Sequence, residues 1–154
     1  MQKTLATLYV IFAAFAFSSL IYLIVGFTLS RSHWKPVLAS SNLQQAIFWT
    51  LLAGSAGLLF LAVKFKTDAF GRALPSGANA EQTRSYLVSK YIVLFAIAEV
   101  PAIFGLVYFM LSGSFLRELI LCLISIVIFL LVRPAAGSTE NANQRELNEV
   151  KPEI

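Results

Sequence analysis

One residue type and position stands out as able to do chemistry. Glu99 lies in Ala96-Ile97-Ala98-Glu99-Val100-Pro101-Ala102-Ile103-Phe104-Gly105-Leu106-Val107, and from Tyr91 to Leu111 it is the only Asp, Glu, Lys or Arg. A charged side chain at the centre of a bilayer costs roughly 2.5–3.5 kcal/mol on insertion scales. A carboxyl group kept there is either sheltered from lipid or used, and the use open to it is binding a proton or a small cation. Pro101 adds a second polar feature, because proline has no amide hydrogen to give to the carbonyl of Ile97 four residues back. That carbonyl and the Glu99 carboxyl form a candidate ligand pair.

Hydroxyls at similar depth elsewhere could complete such a site: Ser18 and Ser19, Ser55, and Ser125 with Cys122. Of these, Ser55 sits in Ala53-Gly54-Ser55-Ala56-Gly57, whose small residues permit close backbone approach in a membrane. The expected arrangement packs Gly54 and Gly57 against the narrow face on which Ala96, Ala102 and Ile103 flank Glu99, with Pro101 as a further packing residue and Glu99, Ile97 and Ser55 as the ion-binding set. The competing reading is structural. A protonated Glu99 would then only hydrogen-bond a neighbouring helix.

The elements that position these groups are membrane spans. The 154 residues are 58% hydrophobic and 13% charged, against about 25% charged in soluble domains. About 20 apolar residues cross a bilayer core, and four runs qualify, at about 5–29, 44–63, 89–111 and 114–132. The first resembles a signal peptide at Ala14-Phe15-Ala16, but its apolar sequence continues to Leu29, which suits an uncleaved helix. Gly113 makes a tight turn between the last two spans. The fold class is an all-α integral membrane bundle of four helices over residues 1–134, with a polar loop at 64–88 and a polar, mobile tail at 135–154.

Charge gives orientation. Lys3, Lys64, Lys66, Arg72, Arg84, Lys90, Arg133, Arg145 and Lys151 fall on one side of a four-span chain, whereas Arg31, Lys35 and Arg117 fall on the other. Positive residues stay inside, so both termini and the long loop are expected in the cytoplasm and the chain in the cell's inner (cytoplasmic) membrane. Glu118, next to Arg117, reads as an interfacial residue whose neighbour snorkels to the headgroups. Laying Ala16–Ser30 on Ala98–Ser112 matches Ala16/Ala98, Ile21/Ile103, Val25/Val107, Phe27/Phe109, Leu29/Leu111 and Ser30/Ser112, the pattern of two parallel-repeated helical hairpins. Chance matching within an apolar alphabet is the alternative.

Several functions are disfavoured. The lone Cys122 cannot pair within the chain, and the lone His33 allows no histidine metal cluster. There is no nucleophile–base pair and no cofactor motif, so the reading is non-enzymatic, without metal, cofactor or nucleic acid.

Glu99-Val100-Pro101-Ala102-Ile103-Phe104-Gly105-Leu106-Val107 resembles the ion-carrying helix of the rotor-ring subunit c of F-type and V-type ATPases, the proteolipid family. There a carboxylate precedes an Ile-Tyr-Gly-Leu-Val type run. The order of a small-residue helix, a cytoplasmic loop with arginine and an outward helix bearing the acid is similar over about Ala46–Leu111. The resemblance implies a carboxyl at Glu99 that exchanges a proton or cation, and a homo-oligomer or a complex with other membrane subunits. Its departures are only two glycines in the second span, a longer loop, an acid on the third span and a charged tail. They point to a divergent relative, or to a non-catalytic assembly subunit.

Overall fold

The computed structural model describes residues 2–32, 34–71 and 80–134. His33, residues 72–79 and the expected mobile tail at 135–154 lie outside the described residues. Four helices follow in order: α1 (Gln2–Arg31), α2 (Ser41–Gly71), α3 (Ala80–Ser112) and α4 (Phe115–Val132). Each is long and apolar enough to cross a membrane. Large apolar side chains, among them Val10, Phe17, Phe60 and Leu116, point outward. Water would not tolerate so much exposed apolar surface, whereas lipid accepts it. The chain is a small multi-pass membrane protein built as a four-helix bundle.

Helices α3 and α4 form a central hairpin, and α1 and α2 make their main contacts with it. Small residues explain the closeness of that hairpin. Ala98, Ala102 and Gly105 recur on the buried face of α3, and a Cβ added at Gly105 would stand 3.0 Å from the backbone oxygen of Glu118. In lipid, such backbone approach replaces the hydrophobic drive that holds soluble helices together. On α4, Glu118, Leu121, Cys122, Ser125, Ile128, Phe129 and Val132 are buried at helical spacing. Near the termini a cluster gathers Leu8, Ala62, Tyr91, Phe95 and Phe129. Phe12 meets Phe95 and Phe129 edge-on there, with ring centroids 5.5 and 5.9 Å apart.

The other end is closed by backbone chemistry. Gly113 adopts φ +70° and gives its N–H to the carbonyl of Phe109 at 2.7 Å. This left-handed cap suits glycine because it has no Cβ to clash. The segment joining α1 to α2 crosses the end of α3. There Trp34 Nε1 donates to the Met110 carbonyl at 3.2 Å and the Leu38 N–H to that of Leu111 at 2.9 Å. These bonds satisfy carbonyls that the end of a helix leaves open.

Helix α2 runs beyond the apolar span, through Lys64 and Lys66, to Gly71, and α3 begins at Ala80. Part of the stretch expected as a loop at 64–88 is therefore helical. Lys66 folds back so that its ammonium donates to the Leu131 carbonyl at 2.6 Å.

Candidate functional site

Glu99 is half-buried and faces α1. Its Oε1 accepts a hydrogen bond from the Ser18 hydroxyl at 2.5 Å and one from the Tyr22 hydroxyl at 2.9 Å. Ser18 and Tyr22 are four residues apart, one helical turn, so they present both hydroxyls on one face of α1. The Ser18 oxygen also stands 2.6 Å from the carbonyl of Phe15. One hydroxyl hydrogen therefore has two acceptors in reach. If Glu99 carries a hydrogen on Oε1, that hydrogen goes to Ser18 Oγ, and Ser18 donates to Phe15. If Glu99 is ionised, the Ser18 hydrogen turns to the carboxylate instead. The geometry accommodates both states by rotating a single hydroxyl.

The expected α2 partner is corrected by this arrangement. Ser55 is buried, but its hydroxyl donates to the Leu51 carbonyl of its own helix at 2.8 Å. A Cβ added at Gly57 would meet nothing within 4 Å, and one at Gly54 only Phe104 at 3.9 Å. The small patch of α2 is thus not nested on the Glu99 face. Bulky Phe48 of α2 instead packs with Tyr108 and Leu121, flanked by Ile47, Leu51 and Phe104. Of the narrow face proposed for α3, Ala102 is buried, whereas Ala96 and Ile103 are exposed; the packing residue Pro101 is buried. Ile97 packs its side chain against the cluster around Leu8 and Phe95. Helix α3 continues through Pro101. The α3 carbonyl that takes a hydroxyl from another helix is that of Ala98, bonded by Ser125 Oγ at 2.6 Å.

Those contacts outline a polar seam between α1, α3 and α4. Ser19 Oγ lies 3.4 Å from Ser125 Oγ, and both serines are fully buried. One turn along α4 from Ser125 is Cys122, a buried free thiol. One further turn brings Glu118, which has no exposed surface, and whose two carboxyl oxygens have no hydrogen-bond partner among the described residues. The carboxyl lies on the backbone of α1, where a Cβ added at Gly26 would stand 2.0 Å from Oε2 and 2.2 Å from Oε1.

Glu118 lies in the first turn of α4, near the end of its span as expected, but it faces inward onto α1. Its neighbour Arg117 turns the other way, donating from Nη1 to the Tyr108 hydroxyl at 2.5 Å and lying over the Phe48 ring. Sequence reading missed Glu118 and Tyr22 as members of one site. The usable signal was spacing: Ser18, Tyr22 and Gly26 share a face of α1, as Glu118, Cys122 and Ser125 share one of α4. Among the described residues, no group of three His, Cys, Asp or Glu side chains could hold a metal ion.

Comparison with known proteins adds no relative: no family model, curated protein or solved structure matches the chain.

Proposed function

We propose that this membrane protein takes up and releases a proton at Glu99, as part of an oligomeric complex in the cytoplasmic membrane. The observation that carries the reading is the Ser18 hydroxyl, poised between Glu99 Oε1 and the Phe15 carbonyl. It allows Glu99 to exist with or without a proton while the helices stay in place. Ser18 and Tyr22 approach Oε1 to 2.5 and 2.9 Å, the spacing of O–H···O hydrogen bonds. The likeness of the Glu99–Val107 run to the rotor-ring subunit c helix supports the same chemistry and an assembly of several copies or subunits.

The test is labelling of the full chain in lipid vesicles with a hydrophobic carbodiimide, which attacks protonated carboxyl groups. Modification of Glu99 that slows as pH rises supports the reading. Failure to label Glu99 at every pH overturns it.

A second reading has its own observation. The Ser18 and Tyr22 bonds tie α1 to α3, as a purely structural carboxyl would in an assembly subunit. Under it, Glu99→Gln keeps both function and assembly. Under proton exchange, Glu99→Gln assembles normally and loses function.

A further inference from the structure

The Glu99 reading leaves a second carboxyl unexplained. Glu118 is fully enclosed, both its oxygens are unpartnered, and α1 offers it only the bare backbone of Gly26. Buried polar groups are almost always bonded, and one left unbonded needs a reason. Among the described residues, no counter-ion supplies it. From α4, Arg117 is committed to Tyr108 and Phe48, and Cys122 is the titratable neighbour one turn away. From α1, Arg31 lies over the Phe27 ring, and Tyr22 is one turn from Gly26. From α3, the groups are Glu99 and Tyr108. Helix α2 has no titratable side chain between Ser41 and Val63.

The positions are ordered along the axis of α1. On α1, Ser18 and Tyr22 hold Glu99, and Gly26 carries the Glu118 carboxyl one turn further toward the Ser112–Ser114 turn. Four residues of helix rise about 6 Å, so the two carboxyls are seated about one helical turn apart along α1. We propose that Glu118 is a second proton-binding carboxyl, through which Glu99 exchanges its proton with the membrane face bearing the Ser112–Ser114 turn. This rests on the reading of Glu99 as a proton site.

The transfer balances without electrons. Glu118 gives the proton of its carboxyl O–H to a bridging water and becomes a carboxylate. The water passes a proton to the Tyr22 oxygen as the Tyr22 hydrogen moves to Glu99 Oε1. The net change is one O–H bond broken at Glu118 and one formed at Glu99. Glu118 is then reprotonated from the turn side.

The experiment uses the full chain inserted in one orientation in phosphatidylcholine vesicles. Infrared bands of protonated carboxyl groups are followed after rapid acidification of one face. Carboxylic acids in different hydrogen-bonding surroundings absorb at different frequencies, so Glu118 and Glu99 give separate bands, each assigned by its loss in Glu118→Gln or Glu99→Gln. In Glu118→Gln, the Glu99 band should rise on the order of a hundredfold more slowly when the turn face is acidified, the effect of removing a positioned proton-transfer group. Its rise from the other face should be unchanged. Glu118→Met provides the same test should the glutamine variant fold poorly.

Equal rates in wild type and variant overturn the proposal, as does a Glu118 band that never responds to acidification. A Glu118 band that responds while Glu99 gives none overturns the Glu99 reading and the relay, and leaves Glu118 as a proton-binding group.

Discussion

Glu99 and Glu118 both turn toward α1, and α1 receives them differently. At Glu99 the helix presents two hydroxyls, from Ser18 and Tyr22, and the side chain stays half-buried. At Glu118 it presents only the backbone at Gly26, and the side chain has no exposed surface. The first carboxyl is held by bonds and the second by shape. Hydroxyls can reorient when a proton leaves, so the first site tolerates a change of state. A Cβ at Gly26 would overlap the carboxyl, so the second is sensitive to a change in volume.

The largest expected effect tests the second half of that contrast. Gly26→Ala puts a methyl group 2.0 Å from a Glu118 oxygen, a separation that side chains cannot share. Overpacking of this kind costs about 1–3 kcal/mol, and the variant should unfold correspondingly earlier in detergent titrations. Adding Glu118→Ala removes the colliding atoms, so the double variant should recover most of the loss. Such non-additivity is the mark of direct contact. If Gly26→Ala costs nothing, the Glu118 carboxyl swings aside freely and is not held by the shape of α1, and the contrast disappears.

A smaller effect is expected where bonds do the holding. Tyr22→Phe removes one of the two donors to Glu99 and keeps the ring. Interhelical hydrogen bonds in membranes average about 0.6 kcal/mol, and Ser18 remains to serve Oε1. The loss in the same titration should be about that size, well below the loss from Gly26→Ala. A Tyr22→Phe cost as large as that of Gly26→Ala would mean that the Glu99 network is rigid rather than adaptable.

How much of this could be read beforehand differs between the two sites for physical reasons. The four spans are legible because apolar runs end at charges and at Gly113. Glu99 is legible because no other charge shares its span. Its partner helix is not, since helices that are apolar all round carry little mark of which face meets which neighbour. Small residues on α2 pointed to a close approach, which is made at Gly105 and Gly26 instead. Glu118 was hidden by its neighbour. Beside Arg117 and close to a helix start it reads as interfacial, yet successive helical residues diverge by about 100°. That turn sends Arg117 toward Phe48 and Glu118 toward Gly26. The end of α2 was misjudged because Lys64 and Lys66 stop an apolar run without stopping a helix, which reaches Gly71.

The smallest effect is expected at Gly57, and it sharpens the comparison by moving it to α2. Gly26 and Gly57 are both helical glycines flanked by apolar residues, and sequence alone ranks Gly57 the better packing candidate because Ala53, Gly54 and Ala56 accompany it. Space ranks them the other way: a Cβ at Gly57 meets nothing within 4 Å. Alanine also favours a helix over glycine, by up to about 1 kcal/mol in water. Gly57→Ala should therefore leave stability unchanged within about 0.5 kcal/mol or raise it slightly, in the titration that registers Gly26→Ala as a large loss. If the isolated chain behaves so but Gly57→Ala abolishes a higher assembly seen by native mass measurement, the open face of α2 is where copies or partner subunits meet. If Gly57→Ala instead destabilises the single chain as much as Gly26→Ala does, α2 packs within the bundle through its small residues after all, and the seat of Glu99 has to be sought there rather than on α1.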